Sequence, residues 1–262
     1  MAFIFDDMLI DRCLEIVFRN AKGEVLGGLN QVTDFSINQT SETKDKTDAQ
    51  GTLLKRFFTS KNVEVSGTSA LPSLSLIALI NGTTKDVASD SNTMLLPSIE
   101  QYAASASPVT LKYTPVGDIS VVGLTGSGVP DPALNYTLGA QADAGVYSIS
   151  GNQVTLPTDC ADRVQITYRY EAQSAVAVTD KSKGFPKTCE MLAKVLVCEA
   201  CDKENMRLAY ISFPSFMMSP DMDWTIDTES GLGFTGAASV DYCGGEQALF
   251  TVSVSEDDIE EE

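Results

Sequence analysis

The sequence predicts a mainly β protein: a β-sandwich or barrel core, one flanking helix, and a small all-β module inserted into the core. Three observations predict it. Residues 205–254 hold three short runs of period-2 alternation, in which Trp224 and Ile226 share a face, as do Phe234, Ala238, Val240 and Tyr242, and then Phe250, Val252 and Val254. Pro214, Pro220 and Gly244-Gly245 break these runs, as half-buried antiparallel strands require. One segment, 69–81, carries a helical pattern, and residues 107–172 form a separate stretch of strands and Gly/Pro-rich turns.

A chain of 262 residues is long enough for one large or two small domains with a real core. The expected division is 1–106 for the first part of the core, 107–172 for the insert, 173–254 for the second part of the core, and 255–262 for a frayed acidic tail.

Taken in order, residues 13–19 alternate through Leu14 and Ile16 as a strand, Asn20-Ala21-Lys22-Gly23 turn, and Glu24–Leu29 return; Phe35 and Ile37 continue the pattern. Residues 38–51 are polar, mixed in charge and nearly free of apolar side chains, so they are expected to form an exposed loop. TLLKRFFTS (52–60) reads as a strand, followed by 62–67 with Val63 and Val65 on one face. In 69–81, Leu71, Leu74 and Ala78 fall at i, i+3 and i+7, with Ser69 or Ser73 to cap the start and Gly82 to end the helix.

In the insert, 109–116 place Val109, Leu111 and Tyr113 on one face. Residues 164–172 place Val164, Ile166, Tyr168 and Tyr170 on one face and Gln165, Thr167, Arg169 and Glu171 on the other. Gly151-Asn152 reads as a hairpin turn. At about 65 residues the insert is near the lower size limit for an independent domain.

Formal net charge is −18 and histidine is absent. So acidic a surface repels nucleic-acid phosphates, and the missing imidazole removes the usual general base and the commonest metal ligand. No run of about 18 apolar residues suggests a membrane span. Asp6 and Asp7 sit where a secretory leader needs positive charge, so synthesis in the cytoplasm is expected.

Six cysteines, Cys13, Cys160, Cys189, Cys198, Cys201 and Cys243, are irregularly spaced. Most are expected to be small buried hydrophobes. Cys198 and Cys201 form a C-x-x-C, but Cys189 and Cys243 lack the second C-x-x-C that a four-thiolate zinc site would show. A further expectation is that exposed cysteines link neighbouring subunits once outside a reducing compartment, and all six are candidates.

Residues 231–236 match G-x-G-x-x-G, yet strand-like alternation follows where a dinucleotide site needs a helix, so a hairpin is expected. Asp221, Asp223, Asp227 and Glu229 read as a solvated strand face, since Ile226 and Leu232 occupy the positions at which a calcium loop needs Gly and Glu. Gly126-Ser127-Gly128 has no histidine partner. Catalytic, cofactor-binding and metal residues are therefore expected to be absent, and no enzyme is inferred.

Outside the insert, the order of elements resembles the tail tube (major tail) proteins of long-tailed bacteriophages and related contractile injection tubes. The features that carry the resemblance are QVTDFSINQTSETKDKTDAQG running into TLLKRFFTS and NVEVSGT, then LPSLSLIALING. After the insert come FPKTCEMLAKVLVCEACDKENMRLAYISFPSF, SPDMDWTID, GFTGAASVDYC and the closing LFTVSV. The insert is itself similar to a small β-module met within such tail proteins.

The resemblance implies a tail-tube-like β core with one helix, six-membered rings, and stacking of those rings into a tube that conducts DNA into the host. It places the chain in the virion, with itself as partner and with sheath, baseplate and tail-terminator proteins as neighbours. Viral DNA would pass through the lumen without specific binding. The loop 38–60 would reach the adjacent ring, with Lys44, Asp45, Lys46, Asp48 and Gln50 as contact candidates. Competing expectations are a capsid decoration or tail-terminator protein, a host-surface binding module built on the insert (Tyr113, Tyr136, Tyr147, Tyr168 and Tyr170), and, weakest, a zinc or redox enzyme on the C-x-x-C.

Overall fold

A computed structural model describes residues 5, 7–227, 231–240 and 247–258, and divides the chain into two compact units, 1–85 with 177–262, and 86–176. In chain order the strands and helix begin with β1 (Met8–Arg19), β2 (Val25–Leu29), β3 (Val32–Thr47), β4 (Leu53–Ser69) and α1 (Leu74–Ile80). The middle of the chain holds β5 (Asp86–Val87), β6 (Met94–Ala103), β7 (Val109–Thr110), β8 (Ser120–Leu124), β9 (Pro130–Leu138), β10 (Val146–Ser150), β11 (Gln153–Thr155), β12 (Arg163–Ala172) and β13 (Val176–Ala177). The last part holds β14 (Cys189–Glu199), β15 (Asp202–Met218), β16 (Leu232–Ala238) and β17 (Thr251–Asp258). The fold is mainly β with one short helix, as the alternation predicts.

The first unit is one sheet in the order β2-β1-β14-β15-β16-β4-β3, with β17 also paired to β15. Its edge strands, β2 and β3, are joined by Asn30 and Gln31 alone. Three peptide steps span at most about 11 Å, so the two edges must approach and the sheet curls round its own core.

Strict alternation fills that core. Cys189, Met191, Ala193, Val195 and Val197 of β14 point inward, against Ile16 and Phe18 of β1 and Ala209, Ile211 and Phe213 of β15. The Phe18 ring meets Phe234 edge-on at 6.2 Å and lies 6.3 Å from Phe216. Gly236 makes room for this cluster, because an added Cβ would lie 2.3 Å from the Phe216 ring. From α1, Leu76, Ile77 and Ile80 enter the same core.

Several elements differ from the sequence expectation. Residues 38–47 are not loop but the outer half of β3, paired residue by residue with β4. The helix is shorter than 69–81 and starts at the Ser73 cap, whose side chain accepts the Ser75 N–H at 3.2 Å. Its buried face is Leu76, Ile77, Ala78 and Ile80, leaving Leu71 and Leu74 exposed, because the position of α1 over the core, not spacing from Leu71, fixes which residues turn inward. Gly82 ends it with φ +61°.

Residues 221–227 form no strand beyond a bridge from Trp224 to Leu232, and Ile226 is 80% exposed. The G-x-G-x-x-G letters fall largely inside β16 and not in a hairpin turn. The tail expected to fray from 255 instead continues β17 to Asp258; 259–262, like Glu229 and Tyr242, lie outside the described residues.

The second unit begins earlier than the expected boundary at 107, because β6 pairs along its whole length with β12, from Ala103↔Arg163 to Met94↔Ala172. Its sheet runs β6-β12-β8-β9-β10-β11-β7, and Val109 of β7 packs in one cluster with Val164, Ile166 and Tyr168 of β12, so this sheet also folds over on itself. The expected strand 109–116 stops at Thr110; beyond it Tyr113 stacks flat on Tyr170, with ring centroids 3.8 Å apart. Gly151 with φ +61° turns the β10–β11 hairpin as predicted.

One polar network ties this unit together. The Glu100 carboxylate accepts hydrogen bonds from Tyr168 Oη (2.5 Å), Ser98 Oγ (3.0 Å), the Lys112 N–H (3.3 Å) and Tyr102 Oη. Burial alone would raise its pKa, but the four donors outweigh burial and hold the carboxyl below the ordinary glutamate value. The stabilisation is therefore complete above the unfolded pKa of about 4.3 and is lost as pH falls through the folded value.

Two outcomes are expected. Phe18→Ala should cost about 3–5 kcal/mol in urea unfolding of the first unit. Glu100→Gln should weaken the second unit at pH 7 and remove its acid-induced loss of stability below about pH 4.5, followed by near-ultraviolet circular dichroism of its tyrosines.

Candidate functional site

The feature that stands out from the first unit is the outer part of the β3–β4 hairpin. β4 pairs with β16 only through Val63–Ser69, whereas β3 and β4 stay paired from Gln39↔Val63 out to Thr47↔Leu53. Residues 39–62 are therefore a two-stranded ribbon, and nine residues of strand reach about 30 Å. An isolated ribbon is marginal in water, so its local chemistry matters.

The tip is a built turn. Asp48 Oδ1 accepts the N–H groups of Gln50 (2.9 Å) and Thr52 (2.8 Å), the Asp48 N–H donates to the Thr52 carbonyl (2.9 Å), and Gly51 takes φ +86°. These backbone donors, Thr52 first, hold the Asp48 carboxyl below its ordinary pKa. Behind the tip, Asp45 accepts both Nε and Nη2 of Arg56, each at 2.8 Å, and this hydrogen bonding lowers its pKa. Such a bidentate pair orders the ribbon more than it stabilises the fold, because it lies in water.

The five contact candidates thus divide. Asp45 and Asp48 are engaged within the ribbon, while Lys44, Lys46 and Gln50 present exposed side chains. The more telling residues lie on the opposite strand: Phe58 is 74% exposed, Leu54 61%, Leu53 50% and Phe57 44%. Phe57 and Phe58, paired in turn with Lys44 and Thr43, point to opposite faces of the ribbon. The signal was in the letters, since LLKRFF is apolar on both faces opposite a polar partner strand. No sheet can bury two faces of a ribbon that stands alone.

The ribbon also differs in charge. Residues 38–61 hold Lys44, Lys46, Lys55, Arg56 and Lys61 against Glu42, Asp45 and Asp48, a balance of +2 in a chain of −18, so the rest carries −20.

The cysteines described by the structure are all free thiols. Cys189 and Cys198 are buried at opposite ends of β14, and burial pushes the Cys189 thiol up to about 11. Nine residues of strand separate these two by about 30 Å, too far to share a metal ion. Cys13 and Cys160 are half-buried, with burial raising both thiols. Cys201 is exposed in the turn from β14 to β15, and Cys243 lies outside the described residues. Among the described residues no group of three or more Cys, Asp or Glu side chains is arranged to hold a metal ion. Among the described residues no helix is long and apolar enough to cross a membrane.

Comparison with known proteins agrees with this picture of a scaffold. The family model of the YomU/Tube protein family matches residues 9–239, reaching across both units. No curated protein matches the chain. The chain belongs to the YomU/Tube protein family, whose name points to a structural component of a phage tail tube.

Proposed function

We propose that copies of this chain close into six-membered rings, that the rings stack into the hollow tube of a phage tail, and that the tube conducts DNA into the host. The observation that supports this best is the β3–β4 ribbon, which carries Leu53, Leu54, Phe57 and Phe58 into solvent on a net-basic arm. A protein keeps such side chains exposed at a cost in solubility unless another surface covers them. A second copy of so acidic a chain supplies opposite charge for the arm.

The six-fold ring follows from the resemblance to tail tube proteins. The same charge balance suits the conduit: a lumen with net negative charge repels DNA phosphates, so the genome slides without adhering. The second unit would face outward, away from the channel. Sheath, baseplate and tail-terminator proteins are the expected neighbours, and assembly would follow synthesis in the host cytoplasm. Among the described thiols, exposed Cys201 is the one suited to link subunits, while the buried Cys189 and Cys198 are withdrawn from contact.

Negative-stain electron microscopy of the purified chain should show long hollow tubes of stacked rings. Single closed rings would favour a tail terminator, and persistent monomers at high concentration would oppose the tube. The double variant Phe57→Ala/Phe58→Ala should lose long tubes while its unfolding free energy stays within about 0.5 kcal/mol of wild type. If reductant shortens the tubes, Cys201→Ser should reproduce that effect.

A further inference from the structure

The curled sheet of the first unit leaves a seam. β2 covers the edge of β1 only from Ile16 to Arg19, so residues 8–15 have no partner strand on that side among the described residues. β3 is paired with β4 and has no second partner among the described residues. Between these two edges lies a groove of about 640 Å³ lined by Ile10, Cys13, Phe35, Ile37, Val195 and Ile211.

Val195 and Ile211 are core residues, whereas Cys13, Phe35 and Ile37 pack against the core and are half-buried. Asp11, Arg12 and Asp34 stand at the rim. The groove is thus an opening into the apolar interior, flanked by two strand edges whose N–H and C=O groups can pair with an added strand.

We propose that this groove receives the Phe57–Phe58 segment of a second copy's β3–β4 arm. The docking presupposes the ring-stacking role proposed above and assigns the surface that the arm meets.

Three observations fix the occupant. The arm's own aromatic residues cannot fill the seam of the same chain. Phe57 and Phe58 lie opposite Lys44 and Thr43, six to seven strand residues beyond Ile37, or about 20–23 Å along the ribbon. The side chains complement: Phe58 is the most exposed ring of the arm, and the body offers an open apolar slot with room for it. The charges complement as well, since a +2 arm meets a body of −20.

The test uses the full chain. Ile10→Cys and Phe58→Cys proteins are mixed under assembly conditions and oxidised, and the joined peptides are read by mass spectrometry. A linkage between positions 10 and 58 is expected in the mixture, absent from either protein alone. In parallel, Ile10→Lys places a cation at the slot that faces the basic arm. It should raise the protein concentration needed for tubes at least about tenfold, with an unchanged thermal midpoint because Ile10 is 61% exposed.

Tubes that form normally with Ile10→Lys, together with no 10–58 linkage, would overturn the docking while leaving the tube standing. A wild-type chain that never associates would overturn both.

Discussion

Two residues set the architecture of the first unit. Asn30 and Gln31 tie together strands that stand at opposite edges of the sheet, and a tether of roughly 11 Å leaves the sheet no option but to curl. Curling turns one face inward along every strand, so the period-2 alternation of β1, β14 and β15 becomes a single core. The Phe18, Phe216 and Phe234 rings then meet across it, and Gly236 is required where no side chain would fit.

The same closure explains what is left open. β2 is five residues long and β1 is twelve, so the shorter strand cannot cover the longer one, and a seam remains beside Ile10 and Cys13. β3 and β4, at 16 and 17 residues, far outrun the seven-residue β16 that pairs with β4 on its other side. Their surplus becomes the ribbon. A sheet with an unfilled seam and an unburied arm is incomplete as a monomer, and that incompleteness is what a self-assembling tube subunit needs.

The second unit follows a different logic. It has its own core around Val164, Ile166 and Tyr168, and four hydrogen-bond donors converge on the Glu100 carboxylate. Its tyrosines, which by number alone suggest a binding face, mostly have structural work: Tyr147 donates to the Ile119 carbonyl at 2.6 Å, Tyr136 accepts the Ala161 N–H at 2.9 Å, and Tyr168 bridges Glu100 and Tyr113.

The sequence by itself determined the fold class, most strands and the Gly151 hairpin, because inside–outside alternation and turn chemistry are local properties written in neighbouring residues. It also carried the absence of histidine, which removes the imidazole as a general base. What it could not decide was where strands outlast their partners. Residues 38–47 look like loop because they are polar on both faces, and they are strand only because β4 pairs with them at a distance. Residues 221–227 look like strand because they alternate, and they are not: among the described residues a single bridge, Trp224 to Leu232, ties them to a neighbouring strand. Strand pairing is a tertiary property: the hydrogen bonds that make a strand belong to two segments, and only their meeting decides which faces are buried, which edges stay open and which aromatic residues are left for another copy.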